Sequence, residues 1–333
     1  MSIRERILKF LKISDSTVVR LYNGFGNKYK ATIFGHVLFY GPRPIKKFNK
    51  SFISNTLALI RLFIVKPRAN AEVTFVWQGN TYTSITEKDG FFRFDFSPNV
   101  DFGWHHVEVQ FINGGKVIKA NARFLIPRQN QFTYISDIDD TFLISHSSNL
   151  RKRLFVLLTE NARSRDPFEG VVNHYNLLAN SFTKGEEVNP FFYVSSSEWN
   201  LYDYIREFSH FHHLPSGIFL LNQLKQLKSI LKTGQNNHST KFMRIARILE
   251  TYPDQLFILL GDDSQSDPVI YASVVKHFPG KVKAVYLRKV KKSSREKTKE
   301  QINFMEAHGV QCCYFEFSSE AIIHSKNIGL IEF

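Results

Sequence analysis

Three times between residues 132 and 267 a short apolar run stops abruptly in a cluster of polar residues. Phe132-Thr133-Tyr134-Ile135 runs into Asp137-Ile138-Asp139-Asp140-Thr141. Phe191-Phe192-Tyr193-Val194 runs into Ser195-Ser196-Ser197, and Leu256-Phe257-Ile258-Leu259-Leu260 into Gly261-Asp262-Asp263-Ser264-Gln265-Ser266-Asp267. Runs of four or five apolar residues bounded in this way read as strands buried on both faces. Helical patterns alternate with them, over 168–180, 201–208, 221–231, 241–250 and 268–277, and further strands are expected at 217–220, 282–287 and 310–317. That alternation predicts an α/β fold, a parallel sheet with helices on both faces. The polar clusters then lie at the carboxyl ends of strands, where open α/β sheets bind ligands.

The polar residues suit phosphoryl transfer, which needs an in-line nucleophile, a proton for the leaving alkoxide and a cation against the phosphoryl oxygens. Asp137 can attack while binding a divalent metal, and Asp139 can protonate the leaving group and then activate water. Thr141 braces the turn. Ser195 and Ser196 offer hydroxyls to a phosphate. Lys241 follows Ser239-Thr240 at the start of an amphipathic run in which Phe242, Ile245, Ala246 and Leu249 share one helical face. Ser239 or Thr240 is the expected N-cap, so Lys241 falls in the first turn, where a cation opposes the helix dipole unless an anion is near. Asp262, Asp263 and Asp267 offer three carboxylates to a hard cation within six residues. Each piece also has a plainer reading, as a helix cap, a solvated lysine or an Asp-Ser turn.

In order, an acidic pair, a hydroxyl, a lysine and an acidic cluster, these segments resemble the four motifs of the haloacid dehalogenase (HAD) superfamily of phosphatases. DIDDTFLISH, FFYVSSSEWNLY and LLGDDSQSDPVIYASVV are similar to the catalytic domain of the lipin-related actin-patch-protein phosphatidate phosphatases, over about 132–290. The resemblance implies Asp137 as nucleophile, Asp139 as acid/base, Ser195 on the phosphate and Lys241 as the charge-stabilising lysine. It implies Mg²⁺ on Asp137, on the backbone carbonyl of Asp139 and on Asp262 or Asp263, with Asp263 and Asp267 reaching the ion through water or from behind the ligands. Glu198 stands where relatives are expected to have Pro. The implied reaction is phosphatidate hydrolysis. The alternatives are a module that binds phosphatidate or anionic lipid without cleaving it, and a phosphatase for a soluble ester. Asp137 to Ser195 and Ser195 to Lys241 are 58 and 46 residues apart, too few for a cap domain, so a capless HAD-like sheet is expected.

Ahead of residue 129 the texture changes. Short alternating runs at 18–22, 30–40, 71–77, 81–86, 91–96, 105–111 and 116–125, with hairpin signals at Lys88-Asp89-Gly90 and Asn113-Gly114-Gly115, predict an antiparallel β-sandwich. Two domains are expected, an accessory sandwich over 1–128 and a phosphatase domain over 129–333. A helix is expected at 52–64. Residues 1–12 form an amphipathic basic pattern that fits either an interfacial helix or one packed on its own domain. The 32 phenylalanines supply strand cores.

The net charge of +14 is concentrated in residues 1–50, at +9, and 281–300, at +7. Such zones attract anionic membrane surfaces or nucleic acids. The chain carries no nucleic-acid motif, so a lipid phosphate and a membrane surface are the expected partners. The insert 145–166, with Arg151, Lys152, Arg153, Arg163 and Arg165, is placed either against a lipid headgroup or in solvent. The longest apolar stretch, 53–65, is too short to span a bilayer and contains Arg61. No secretory signal is visible. Cys312 and Cys313 are adjacent, which suits a reducing cytoplasm with peripheral membrane contact. His210, His212 and His213 lack a fourth ligand at zinc spacing.

Overall fold

The computed structural model describes residues 16–41, 61–142, 163, 166–183, 187–223 and 237–332, with 237–239 described by backbone alone. The described residues fall into two compact units. The first lies within 1–127 together with 198–203 and 223, and the second within 128–197, 204–222 and 237–332. The helices expected at 1–12, at 224–231 and over most of 52–64 lie outside the described residues. So do Arg151, Lys152, Arg153 and Arg165 of the insert, whereas Arg163 pairs with Glu207 at 2.7 Å.

In the first unit eight strands form one hydrogen-bonded sheet. They are β1 (Val18–Gly26), β2 (Ala31–Tyr40), β3 (Lys66–Pro67), β4 (Glu72–Trp77), β5 (Asn80–Ile85), β6 (Phe91–Phe96), β7 (Gly103–Asn113) and β8 (Lys116–Ile126), in the order β3-β2-β1-β8-β7-β4-β5. One edge of β2 is shared, with β6 on residues 31–36 and β3 on 38 and 40. Strand alternation sends Phe92, Phe94 and Phe96 inward from β6 and Val107, Val109 and Phe111 inward from β7. Phe75 of β4 meets Phe96 at 4.8 Å although β4 and β6 lie far apart in the ladder, so the sheet curls until its inner faces share one core. The expected antiparallel pattern fails at one place: β1 and β8 run parallel, pairing Gly24 with Phe124 and Phe25 with Leu125. The other edge of β1 is taken by β2, so its remaining edge meets a strand running the same way. The β4–β5 hairpin turns through Gln78 and Gly79, both at positive φ, as a tight two-residue turn requires. Trp199 belongs to this unit and stacks on Tyr22 with ring centres 4.1 Å apart.

The second unit holds a six-stranded sheet, β9 (Thr133–Ser136), β10 (Phe191–Glu198), β11 (Gly217–Asn222), β12 (Phe257–Asp262), β13 (Val282–Arg288) and β14 (Gln311–Phe315), in the order β11-β10-β9-β12-β13-β14. The ladders from β10 through β14 are parallel. Among the described residues six helices accompany it: α1 (Val171–Asn180), α2 (Tyr202–Phe211), α3 (Asn237–Thr251), α4 (Asp267–His277), α5 (Arg295–Ala307) and α6 (Ser318–Asn327). They pack as α3–α4–α5 and α1–α6. The chain steps outward from β9 to β10 and β11, then returns to β12 on the other side and steps outward again. The order therefore reverses between β9 and β12, which makes a crevice at their carboxyl ends. Right-handed crossovers in opposite directions put α1 and α4 on opposite faces.

Three boundaries differ from the sequence reading. Helix α3 begins at Asn237, so Lys241 stands in its second turn rather than beside an N-cap. Leu221 lies inside strand β11 rather than opening a helix. Helix α5 occupies what reads as a basic surface run, because its buried stripe is only Thr298, Ile302 and Met305. Among the described residues no helix is long and apolar enough to cross a membrane.

His174 on α1 is buried, with Nε2 2.9 Å from the Ser325 hydroxyl. Burial, aided by Arg288, pushes its pKa down to about 3. The folded state keeps this imidazole neutral while the unfolded chain protonates it near pH 6.5, so its contribution to stability is complete above that pH and is lost as pH falls from 6.5 towards 3. At pH 5 the loss is about 2 kcal/mol. Urea unfolding at pH 7.5 and pH 5 should show a smaller pH-dependent drop for His174→Asn than for the wild type; equal drops contradict this assignment.

Candidate active site

The chemistry-bearing side chains gather at the β9/β12 crevice. The Asp137 amide donates to the Leu260 carbonyl at 2.8 Å, which extends the β9–β12 register one residue past β9. The chain then turns at Asp140, whose φ of 60° is left-handed, a conformation Asp tolerates. Asp262 is the last residue of β12, and Asp267 opens α4, where an acid suits the helix dipole and Pro268 suits the first turn. Asp137, Asp262 and Asp267 are buried, and each brings a carboxylate oxygen within 4.8 Å of the other two.

Lys241 reaches this cluster from α3. Its ammonium donates to Asp137 Oδ1 at 2.6 Å and to Asp267 Oδ1. The Thr141 hydroxyl donates to Asp262 Oδ2 at 3.0 Å and lies 3.4 Å from Asp137 Oδ2. Burial, with the neighbouring acids, pushes the Asp137 carboxyl well above the usual carboxylate range despite Lys241. Burial and Asp267 push Asp262 up to about 7. For Lys241 burial works against the charge, but Asp137 and Asp267 outweigh it and hold the ammonium above its ordinary value.

This donor set fits a divalent metal. Three buried carboxylates against one ammonium leave a formal charge of −2 when ionised, and hard cations take oxygen ligands. Asp267 Oδ2 is buried without a hydrogen-bond partner, as a ligand oxygen awaiting a cation would be. Asp263 is placed elsewhere. Its Oδ1 accepts the Val290 and Lys291 amides, both at 2.7 Å, and its Oδ2 accepts the Tyr314 hydroxyl at 2.5 Å. Consecutive residues at a strand end point oppositely. Asp262 therefore takes the inward place, and Asp263 holds a loop.

Asp139 stands beside the cluster. Its Oδ2 accepts the Ser195 hydroxyl at 3.1 Å and the Ser197 hydroxyl at 2.7 Å, and the Ser197 amide donates to Ser195 Oγ at 2.8 Å. β10 continues through the serines, so alternation puts Ser195 and Ser197 on one side and turns Ser196 away from Asp139. The sequence reading includes Ser197 only as part of the serine run and does not single out Arg288. The Arg288 guanidinium is buried between the Phe168 and Phe315 rings and donates to the Thr141 carbonyl at 3.2 Å, pinning the acidic turn from below. Its signal in the sequence is a cation that ends an apolar strand at the head of a basic run, which also reads as an exposed strand end.

These features lie inside a segment with known relatives. Residues 132–289 match the family model described as phosphatidate phosphatase APP1, catalytic domain. The segment is similar to that catalytic domain. The match includes the acidic turn, the serine strand, Lys241 and the Asp262–Asp267 cluster. Phosphatidate phosphatase APP1 of Saccharomyces cerevisiae is 29% identical over 154 residues, which are 46% of this chain and 25% of that protein. An uncharacterised protein of Schizosaccharomyces pombe is 24% identical over 230 residues, 66% of this chain and 36% of its own length. The chain thus spans between a quarter and about a third of these relatives. A solved carbohydrate acetylesterase from Xanthomonas citri aligns over 92% of this chain and 71% of its own with a TM-score of 0.36 and 8% identity, a likeness that carries no argument.

Glycine at position 261, beside Asp262, has a steric reason. A Cβ there runs into the Asp267 carboxylate and the Tyr271 ring, whose hydroxyl is bonded to the Leu260 carbonyl. Gly261→Ala is expected to displace Asp267 and weaken divalent-cation binding by roughly tenfold to a hundredfold. Calorimetric titration with Mg²⁺ measures this, and unchanged affinity contradicts the place given to Asp267.

Proposed function

We propose that the chain is a Mg²⁺-dependent phosphatase of the HAD type, without a cap, that converts phosphatidate to diacylglycerol and phosphate. The observation that carries the reading is the meeting of Asp137, Asp262, Asp267 and Lys241 at the sheet's reversal point, with Asp139 beside them. Asp137, Asp262 and Asp267 would hold the Mg²⁺, with the Asp139 carbonyl contributing as the family resemblance implies. The bound ion offsets the charge of phosphoryl oxygens brought against three acids.

The chain's own groups divide the rest. The Asp137 carboxylate attacks phosphorus, an aspartyl-phosphate (acyl phosphate) forms, and the bond from phosphorus to the glycerol oxygen breaks. Asp139 gives its proton to that oxygen. It then takes a proton from the water that attacks the phosphoaspartate, which releases phosphate and restores Asp137. The Ser195 and Ser197 hydroxyls orient Asp139. Ser195, Thr141 and Lys241 meet the phosphoryl oxygens, with Lys241 keeping Asp137 aimed.

A lipid rather than a soluble substrate is favoured by the loop that Asp263 holds next to the site. Val290, Lys291 and Lys292 are exposed there, and residues 289–299 carry six cations against Glu296. Such a surface suits an anionic membrane. The protein is placed in the cytoplasm, where free Cys312 and Cys313 are stable, with peripheral membrane contact. Residues 1–128 would serve as an accessory domain and 129–333 as the phosphatase.

Phosphate release should be followed with phosphatidate vesicles, lysophosphatidate and soluble monoesters. Phosphatidate is expected to be the best substrate, and EDTA to abolish release. Asp137→Asn should lower turnover by about three orders of magnitude or more while the fold persists. Preference for soluble esters would overturn the lipid assignment, and near-wild-type turnover in Asp137→Asn would overturn the nucleophile.

A further inference from the structure

Arg244 lies one turn after Lys241 on the same side of α3. Its guanidinium is half-buried. One terminal nitrogen donates to the Ser195 carbonyl at 3.3 Å and the other to Asn222 Oδ1 at 3.1 Å. Both acceptors are neutral, and both contacts are longer than the roughly 2.7–2.9 Å usual when a guanidinium meets an anion. Among the described residues no carboxylate pairs with it. Burial alone lowers its pKa to about 10, with no acid offsetting the loss of water.

The other buried cations of this unit are treated differently. Lys241 is neutralised by two carboxylates. Arg288 donates to the Thr141 and Glu316 carbonyls and the Ser318 hydroxyl, and lies between two aromatic faces. Arg244 has five N–H donors and two neutral acceptors. A desolvated charge left in that state costs free energy that an arriving anion recovers.

Its location suggests which anion. Asn222 ends β11, and Ser195 lies on β10 with its hydroxyl 3.1 Å from Asp139. Arg244 therefore flanks the Asp139 side of the site, as Lys241 flanks the Asp137 side. Lys241 shares its charge with Asp137 and Asp267, so a phosphate dianion that meets it still has charge for a second cation.

We infer that Arg244 forms an oxyanion subsite at the carboxyl ends of β10 and β11, where it takes the non-bridging oxygens of a phosphoryl group lying over Ser195. This rests on the phosphatase reading above. Arginine suits the task because its planar fork engages two phosphate oxygens at once, which a lysine in its place cannot do.

The test uses the full chain with Mg²⁺, titrated with inorganic phosphate in a calorimeter, alongside phosphate inhibition of p-nitrophenyl phosphate hydrolysis. Arg244→Gln is expected to weaken phosphate binding roughly tenfold or more, and Arg244→Lys by less. Arg247→Gln removes an exposed cation one turn further on and is expected to leave phosphate affinity unchanged. If Arg244→Gln fails to fold, the difference between Arg244→Lys and the wild type carries the test. Wild-type phosphate affinity in a folded Arg244 variant overturns the inference, as does an equal loss in Arg247→Gln. A wild-type chain that hydrolyses no phosphomonoester overturns the phosphatase reading itself, which separates the two failures.

Discussion

Burying three carboxylates around one ammonium is the costliest thing the second unit does, and much of its local structure accommodates that crowding. Charges so close in a dry place cannot all stay ionised on their own, which is why burial drives Asp137 and Asp262 towards the protonated form. The acids come from two strand ends and a helix start that the sheet's reversal brings side by side. Gly261 leaves room for the Asp267 carboxylate, Thr141 bridges Asp137 and Asp262, and Arg288 holds the turn that carries both Asp137 and Thr141. A cation that relieves the repulsion is the simplest reason for a fold to keep such an arrangement.

The strands of this site were legible because burial on both faces leaves an unmistakable apolar run, and the acids were legible because they end those runs. Side-chain direction was not. Asp262 and Asp263 are identical letters in adjacent positions, and only the pleat of β12 sends one inward and the other to the Val290 and Lys291 amides. Ser195, Ser196 and Ser197 pose the same problem, and the strand continues through them where the sequence suggests a helix cap. Lys241 was found for the wrong local reason. It is not a first-turn cation but a second-turn one, paired with Asp137 and Asp267. Helix α5 went unread because charged residues dilute its thin apolar stripe, and α6 because two of its three buried residues are serines.

The first unit shows the opposite balance. Its strands follow from period-two alternation and its hairpins from glycine, yet its single mixed sheet does not. The β1–β8 pairing joins residues about a hundred positions apart, and no local pattern encodes which edge a strand will find. The abundance of phenylalanine acquires a purpose here: large flat rings such as Phe75, Phe96 and Phe124 fill a curled interior that smaller side chains would leave hollow.

The grip of Asp263 on the 290–291 backbone has a mechanical consequence. The loop's tether is the immediate neighbour of Asp262, so a tug transmitted through Lys291 is felt at the very tip of β12.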